Sequence, residues 1–263
     1  MKLVDIGANL THESFALDFD TVVDEARRAN VSHIMLTGTD LVSSRAAETI
    51  AKATPTLHSS TAGFHPHVAS TCTAEAFDEI SQLCSQPHVV AIGETGLDFN
   101  RNFSSKEEQL QIFEQHLELA SQIKKPLFLH QREAHEEFLP LLSRYRSSTV
   151  GGVVHCFTDN EQALSDYLTL DMHIGITGWV CDERRGLDLQ RLVPKIPLDR
   201  LLIETDAPYL LPRNIRPRPK HRRNEPKYLT AVLEKIAELY QLPVKEIAER
   251  TTHNAKKLFN LSF

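Results

Sequence analysis

The sequence predicts an α/β protein with the TIM (β/α)8 barrel fold and extra C-terminal helices. Two observations predict this fold: eight short apolar runs, and amphipathic stretches of helical period that alternate with them. Short runs rich in Val, Ile and Leu are typical of strands that are buried on both faces of a parallel sheet. Strict alternation of strands and helices favours parallel pairing with crossover helices, and eight such units suggest closure into a barrel.

Each predicted element follows from its local pattern. The predicted strands are residues 2–6, 33–37, 58–63, 89–93, 127–130, 152–155, 173–177 and 200–204. The predicted helices between them are residues 19–29, 43–53, 74–84, 105–123, 134–145 and 161–168, and two or three more helices follow the last strand. Asp18 and Thr73 are expected N-caps, and residues 104–107 resemble a capping box before the longest helix.

The organisation of the chain favours one domain over residues 1–263. A length of 263 residues fits a single barrel of roughly 250 residues, and no linker, repeat or low-complexity segment interrupts the pattern. An open, doubly wound sheet is the alternative architecture. It is disfavoured because no GxGxxG segment follows the first strand.

Composition and charge restrict the possible functions. The formal net charge is −6, so any binding to nucleic acid has to come from a local basic patch. The four cysteines form no CxxC pair, which argues against a disulfide framework and favours a reducing compartment. Because the chain also has no signal-peptide pattern and no long apolar run, we expect a cytoplasmic protein without a membrane segment. We also expect a monomer, although nothing in the pattern fixes the oligomeric state.

Polar residues gather where the predicted strands end. In a barrel of this type the chemistry lies on the loops that follow the carboxyl ends of the strands. Glu94, His130, His155 and Asp206 all follow strands in this way. Such a mixed set of imidazole and carboxylate groups suits a divalent cation. We therefore expect these four residues to be metal ligands, with Asp206 also a candidate general base for a water activated by the metal.

Three further residues at the strand ends have two possible roles each. His65 and His67 flank a proline and either contact a substrate phosphate or support a ligand. Glu204 lies two residues before Asp206 and is a second catalytic candidate, which would hold a water or a ligand. The alternative for Glu204 is an ion pair with an interior Arg or Lys.

A cationic loop follows the last strand. Residues 213–223 contain six Arg or Lys residues, and several prolines keep them from forming a helix. A stiff cationic loop beside a metal site suits a phosphate backbone. Arg132, Arg222, Arg223 and Trp179 are the substrate-binding candidates, with Trp179 as the preferred surface for base stacking. The other aromatic residues predicted at this rim are Phe64, Phe99, Phe157 and Tyr209.

Taken in order, these motifs resemble the TatD family of metal-dependent deoxyribonucleases, within the amidohydrolase-like superfamily. The resemblance rests on residues 62–67 (AGFHPH), 91–98 (AIGETGLD), 130–135 (HQREAH), 155–157 (HCF), 175–186 (GITGWVCDERRG) and 202–210 (LIETDAPYL). It implies a magnesium-dependent 3′→5′ exonuclease that acts on single-stranded DNA and RNA and has a role in the repair of oxidative damage. It also implies Glu94, His130 and His155 as metal ligands, with Asp206 at the catalytic centre.

The sequence departs from the family pattern after the first strand. Most members carry a His-x-His pair there, whereas this chain has Gly7 and Asn9. The loss of two nitrogen ligands leaves the number of bound metals open and favours Mg²⁺, with Mn²⁺ possible and Zn²⁺ less expected. Two other functions stay open: a metal-dependent ester or amide hydrolase such as a D-aminoacyl-tRNA deacylase, and a degenerate barrel that binds nucleic acid without cleaving it.

Overall fold

Eight parallel strands follow one another around a barrel, as predicted. The computed structural model describes residues 2–263. The strands are Leu3–Ala8 (β1), Val31–Leu36 (β2), His58–Ala62 (β3), Val89–Asp98 (β4), Leu127–Arg132 (β5), Gly152–Val154 (β6), His173–Ile176 (β7) and Leu201–Ile203 (β8), and their order in the sheet is their order in the chain. The circle closes through a parallel bridge between Ala8 and Ala207, just beyond β8.

Strand β4 is longer than its predicted segment, which ended at Gly93. It continues to Asp98 because β5 pairs with it as far as Asp98 and Arg132. Gly93 and Gly96 have φ angles of 136° and 142°, and a Cβ atom on either would collide with the backbone of β5. Only glycine allows this close approach, so residues that signalled a loop in the sequence belong to a strand.

Strand β3 also differs from its prediction, because it is buried but polar. Its sequence is HSSTA, and all five residues are buried. The hydroxyl groups find partners inside the protein: Ser59 Oγ lies 2.9 Å from His33 Nε2, and Thr61 Oγ1 accepts a hydrogen bond from the Gly38 N–H. Hydrogen bonding offsets the cost of burying these polar groups.

The helices confirm the predicted alternation. They are Phe19–Arg28 (α1), Leu41–Ala53 (α2), Ala74–Cys84 (α3), Lys106–Ile123 (α4), His135–Arg146 (α5), Glu161–Thr169 (α6), Leu187–Leu192 (α7), Leu229–Tyr240 (α8) and Val244–Phe259 (α9). Thr73 caps α3, and Ser105 forms a capping box with Glu108 at the start of α4. Asp18 occupies the N-cap position of α1 but makes no capping hydrogen bond there.

The C-terminal helix covers the amino-terminal end of the barrel. Barrel residues such as Ile6, Met35 and Phe128 are fully buried, and Ala255 and Phe259 of α9 pack in the same cluster. Asn254 Nδ2 donates to the backbone oxygen of Leu201 at the start of β8. One end of the barrel is therefore closed by apolar packing, and the polar residues lie at the other end. Within residues 2–263, no helix is both long and apolar enough to cross a membrane.

Candidate metal centre

Three imidazole rings converge on one carboxylate oxygen at the carboxyl ends of the strands. Glu94 Oε1 lies 3.2 Å from His65 Nε2, 3.1 Å from His130 Nδ1 and 2.8 Å from His155 Nε2. Glu94 is only 5% exposed. Residues from four neighbouring strands, β3 to β6, or from the turns directly after them, thus meet at one point, as the positions at strand ends predicted.

Asp98 holds the far side of His130 and was not among the predicted site residues. Its Oδ2 lies 3.1 Å from His130 Nε2 and 2.8 Å from His67 Nε2. Gln109 fixes the backbone of Asp98 from α4 with two hydrogen bonds. Such a carboxylate sets the orientation of an imidazole and raises its basicity. The signal was present in the sequence, because residues 94 and 98 lie on the same face of any strand that extends this far.

Glu204 contacts the ring nitrogen of His155 that faces away from Glu94, as Asp98 does for His130. It is fully buried, its Oε2 lies 3.4 Å from His155 Nδ1, and its Oε1 accepts a hydrogen bond of 2.6 Å from the Cys156 N–H. Among the described residues, Glu204 forms no ion pair with an Arg or Lys, which was the alternative prediction for it. Its ion-pair partner is His155 instead.

Asp206 lies beside this group on a tight turn. Its φ angle is 55°, and its backbone N–H donates to Gly7 O at 2.8 Å. Asn9 Nδ2 donates to Asp206 Oδ1 at 3.0 Å. The preceding Thr205 is held by Asp5, whose buried carboxylate accepts hydrogen bonds from both the hydroxyl and the N–H of Thr205. The first strand therefore fixes the position of Asp206, although it contributes no charged group to the centre.

The protonation of the centre follows from these contacts. Burial opposes charge on Glu94, but the surrounding imidazoles, His155 first, hold its pKa well below the usual range. Burial also opposes charge on His130 and His155, but in each case two neighbouring carboxylates raise the pKa of the ring. Burial raises the pKa of Asp206 to about 8, against the pull of His155 and with further contributions from Glu94 and Glu204.

His65 differs from the other two rings because its proton position is fixed. Its Nδ1 accepts a hydrogen bond of 3.0 Å from the His67 N–H, so in the neutral ring the proton lies on Nε2, which faces Glu94. Burial lowers the pKa of His65 to about 4, which keeps the ring neutral. His65 therefore presents an N–H donor to the centre, whereas metal ligation requires a free lone pair.

The donor set fits a divalent cation. Two imidazole nitrogens and a carboxylate oxygen converge, and oxygen and nitrogen ligands of this kind suit Mg²⁺, Mn²⁺ and Zn²⁺ to different degrees. His65, Glu94 and His130 each place one side-chain atom within 4.8 Å of the other two, and His65 joins this group as an N–H donor. Beside them, the buried atoms His155 Nδ1 and Glu204 Oε2 lie 3.4 Å apart as an ion pair and have no other polar partner among the described residues.

Comparison with known proteins identifies the family. The family model described as TatD related DNase matches residues 4–260. This chain belongs to the TatD family. It is 48% identical to the 3'-5' ssDNA/RNA exonuclease TatD of Pantoea vagans over 99% of this chain and 100% of that protein, and 48% identical to the protein of the same name from Escherichia fergusonii over 99% and 100%.

Solved structures agree with this assignment to the TatD family. A TatD family hydrolase from Entamoeba histolytica superposes with a TM-score of 0.90 at 27% identity, covering 100% of this chain and 99% of that one. A TatD homologue from Escherichia coli k12 also superposes with a TM-score of 0.90, at 26% identity, covering 99% and 98%. The predicted fold and family are therefore confirmed.

The structure explains both departures from the TatD-family pattern. A Cβ atom on Gly7 would lie 2.6 Å from Glu204 Oε2, and one on Gly175 would lie 2.6 Å from Glu204 Oε1. The two glycines make room for the buried carboxylate between them. Asn9 holds Asp206 by its amide. In this member of the family, the positions of the missing histidines serve to place the two acids that follow β8.

The cationic loop after β8 has two kinds of arginine. Arg223 is anchored: it forms an ion pair with Asp18 at 2.6 Å and another with Glu225 at 2.9 Å, and its guanidinium lies 4.7 Å above the ring of Phe15. Arg222 is exposed and forms no ion pair within residues 2–263. The structure thus uses Arg223 to fix the loop and leaves Arg222 in contact with solvent.

The other predicted substrate-binding residues lie around the same rim. Arg132 is exposed at the end of β5, and His67 is half-buried between the centre and solvent. The guanidinium of Arg185 covers the ring of Trp179 at 4.6 Å. Phe64 and Phe157 are buried and unavailable for stacking.

Proposed function

We propose that this protein is a metal-dependent 3′→5′ exonuclease that hydrolyses the phosphodiester bonds of single-stranded DNA and RNA. The observation that carries the proposal is the convergence of His65, His130 and His155 on Glu94 Oε1 at the open end of the barrel. The names of relatives that are 48% identical over nearly the whole chain support the substrate and the direction.

Glu94, His130 and His155 are the proposed metal ligands, with Asp206 as a further one. Mg²⁺ is the proposed ion, with Mn²⁺ as a substitute and Zn²⁺ less suited, because Gly7 and Asn9 supply no imidazole. When bound, such an ion polarises the phosphodiester and lowers the pKa of water. Asp98 and Glu204 support the ligands by holding the far nitrogens of His130 and His155.

Asp206 is the proposed proton acceptor. Burial raises its pKa to about 8, and a cation bound beside it would favour the carboxylate form that accepts a proton. As a water oxygen forms its bond to phosphorus, one water proton passes to the Asp206 carboxylate; the bond from phosphorus to the leaving oxygen breaks, and that oxygen takes a proton from solvent water. Its Oδ1 is held by Asn9, which orients the group for this transfer. Glu204 is fully buried, so its catalytic contribution is to position His155 without touching the substrate.

The proposed contacts to the strand are made by donors around the rim. The Nε2–H of His65 points into the centre and suits a phosphate oxygen, with His67 beside it. Arg132 and the exposed cations Arg216, Arg218, Lys220 and Arg222 suit the backbone phosphates further along the strand. Arg223 contributes by holding the loop in place. The stacking of a base on Trp179 stays a prediction.

The cellular setting is part of the proposal. All four cysteines are free thiols, which suits the reducing cytoplasm. A monomer stays a prediction. The family resemblance leads us to propose a role in the repair of oxidative DNA damage.

Digestion of an end-labelled single-stranded DNA oligonucleotide tests the proposed function. Metal-stripped protein is supplied with Mg²⁺, Mn²⁺ or Zn²⁺ in turn, and we expect a 5′-labelled strand to shorten progressively in Mg²⁺. Binding of the oligonucleotide without cleavage in any metal would contradict the proposal and favour a degenerate binding barrel. Cleavage of a D-aminoacyl-tRNA ester by protein that leaves DNA intact would favour the ester hydrolase.

A further inference from the structure

Two exposed aromatic rings flank the candidate metal centre. Large apolar side chains are mostly buried in this protein; the exposed ones among the described residues are Leu17, Val42, Phe103, Val150, Leu187 and Tyr209. The two aromatic members of this set, Phe103 and Tyr209, both lie on loops at the carboxyl end of the barrel. Phe103 is 66% exposed and Tyr209 is 53% exposed.

The strand order places these two rings on opposite sides of the centre. Phe103 follows β4 and Tyr209 follows β8, and these strands are four positions apart in a closed ring of eight. Glu94, on β4, and Asp206, after β8, therefore lie between the two rings. A polynucleotide that brings a phosphodiester to Glu94 and Asp206 has one base on each side of the scissile bond.

The side chains on either side of Phe103 anchor its loop by hydrogen bonds. The next residue, Ser104, is buried and donates through Oγ to the backbone oxygen of His67, and the preceding Asn102 donates to Phe99 O at 2.7 Å. With both neighbours fixed, Phe103 has only one aromatic contact, an edge-to-face contact with His67 at 4.9 Å between ring centroids.

Tyr209 is positioned by the turn that carries Asp206. Its backbone N–H donates to Asp206 O at 2.9 Å, so the ring lies three residues beyond the proposed proton acceptor. Its own aromatic contact is an edge-to-face contact with His12 at 6.1 Å. A large part of each ring is thus left to solvent next to a site that suits a phosphodiester.

We propose that Phe103 stacks on the base of the 3′-terminal nucleotide and Tyr209 on the base of the preceding one. This inference rests on the proposed exonuclease function. The exposed cations of residues 213–223 follow Tyr209 in the chain, so the rest of the strand, with its many phosphates, leaves on that side. The terminal nucleotide has no further phosphates and takes the side of Phe103.

The arrangement explains a preference for single strands. Adjacent bases that stack on rings on opposite sides of the centre have to separate from each other and from any pairing partner. Stacking on an aromatic ring needs no base-specific hydrogen bond, because every base has a π-face. The two rings therefore select unpaired 3′ ends of any sequence.

The test combines aromatic variants with oligonucleotides that lack one base. Single-stranded DNA carries an abasic residue at the 3′ end, at the penultimate position, or ten residues upstream as a control. Wild type, Phe103→Ala, Phe103→Trp, Tyr209→Ala and Val150→Ala are compared by kcat/KM. Val150 is an equally apolar, exposed residue just before β6, at the other end of the barrel.

We expect the terminal abasic residue to lower kcat/KM of wild type about tenfold, and Phe103→Ala to lower it about tenfold on intact DNA. The two changes together should cost no more than either alone, because they remove the same stack. Tyr209→Ala should show this non-additivity with the penultimate abasic residue. Phe103→Trp should retain activity, Val150→Ala should match wild type, and metal affinity should be equal in all of them.

The results that would overturn the stacking assignment differ from those that would overturn the proposed exonuclease function. If the Phe103→Ala and terminal abasic effects multiply as independent losses, or if Phe103→Ala equals wild type on intact DNA, the stacking assignment is wrong while the exonuclease stands. If Phe103→Ala weakens metal binding, its effect comes from disturbing His67 and the assignment fails. If wild type degrades no single-stranded DNA, the proposed function fails, and this inference fails with it.

Discussion

Histidines at the two ends of the barrel differ in their neighbours and therefore in their charge. At the carboxyl end, His130 lies between Glu94 and Asp98, and His155 lies between Glu94 and Glu204. These carboxylates raise the pKa of both rings. The partners of the rings, and not the residue type, make these two histidines suitable for a metal.

His33 and His58, on the amino-terminal side, contact no carboxylate among the described residues. His33 contacts the hydroxyl of Ser59, and His58 contacts the hydroxyl of Thr54 at 2.7 Å. Burial lowers the pKa of His33, His58 and His173 to about 4, so these rings are neutral parts of the core. The chain has 13 histidines, and the groups around each ring distinguish the proposed ligands from the core residues.

Glu94→Gln should have the largest effect. The substitution keeps the shape of the side chain but removes the negative charge shared by three imidazoles. We expect kcat/KM on single-stranded DNA to fall by more than about a hundredfold, beyond the loss typical of residues that only orient a ligand. The matched control is Gln substitution of Glu249, an exposed glutamate of α9, which should leave activity unchanged. Near-wild-type activity of Glu94→Gln would remove Glu94 from the metal site.

Asp98→Asn should have the next largest effect. Asp98 holds His130 through its far nitrogen, so its loss leaves the ligand present but poorly oriented. Metal affinity measured by calorimetry should fall about 10- to 100-fold, and excess metal should restore part of the activity. A variant with unchanged metal affinity would show that Asp98 acts only on the fold.

Acid should destabilise the protein through its neutral buried histidines. His116 is fully buried, accepts a hydrogen bond from the Phe64 N–H and faces Ile112 O at 2.7 Å, and burial lowers its pKa to about 4. Below pH 6.5 the unfolded chain binds a proton that the native ring cannot bind. The free energy of unfolding should therefore fall as the pH drops from about 6.5 to about 4, by on the order of 1–3 kcal/mol for this group.

His130 and His155, at the carboxyl end, change the free energy of unfolding with pH in the opposite direction. The pKa values of His130 and His155 are raised in the metal-free protein, so their contribution is complete below pH 6.5 and is lost only at higher pH. Urea unfolding of metal-free wild type and His116→Gln between pH 7 and 4 measures how much of the free energy of unfolding is lost in acid. If the slopes of the two proteins are equal, His116 does not titrate as described.

Two adjacent arginines should separate binding from stability, with the smallest effects. Arg222→Gln should reduce the slope of log K against log salt for oligonucleotide binding by about one, because Arg222 is exposed and free of ion pairs among the described residues. Arg223→Gln should lower the unfolding midpoint and leave the slope nearly unchanged, because Arg223 is bound to Asp18 and Glu225. If Arg223→Gln changed the salt slope and Arg222→Gln lowered the unfolding midpoint, then Arg223 would bind the oligonucleotide and Arg222 would fix the loop.

The part of the site that lies at strand ends was predictable from the sequence. Glu94, His130, His155 and Asp206 each follow a buried apolar run, and a barrel brings such positions to one rim. Asp98 was missed because Gly93 and Gly96 look like the end of a strand, whereas their conformations allow β4 to continue.

Contacts between distant parts of the chain were not predictable from local pattern. Arg223 binds Asp18, which is 205 residues away, so no spacing in the sequence separates it from the exposed Arg222. The role of Gly7 likewise depends on Glu204, which occupies the space beside it in the folded barrel. Phe103 is exposed beside the buried Ser104, whose hydroxyl donates to the backbone oxygen of His67, 37 residues away in the chain.

Proton release on metal binding tests whether Glu94, His130 and His155 form the metal site. Metal-free protein is titrated with Mn²⁺ at pH 7 in two buffers of different ionisation enthalpy, for wild type, Glu94→Gln and His33→Gln. Wild type and His33→Gln should bind the ion and release protons, since His130 and His155 have raised pKa values and must lose protons to become ligands. Glu94→Gln should lose this binding. Binding without proton release, unchanged in Glu94→Gln, would contradict the assignment of the metal centre to these residues.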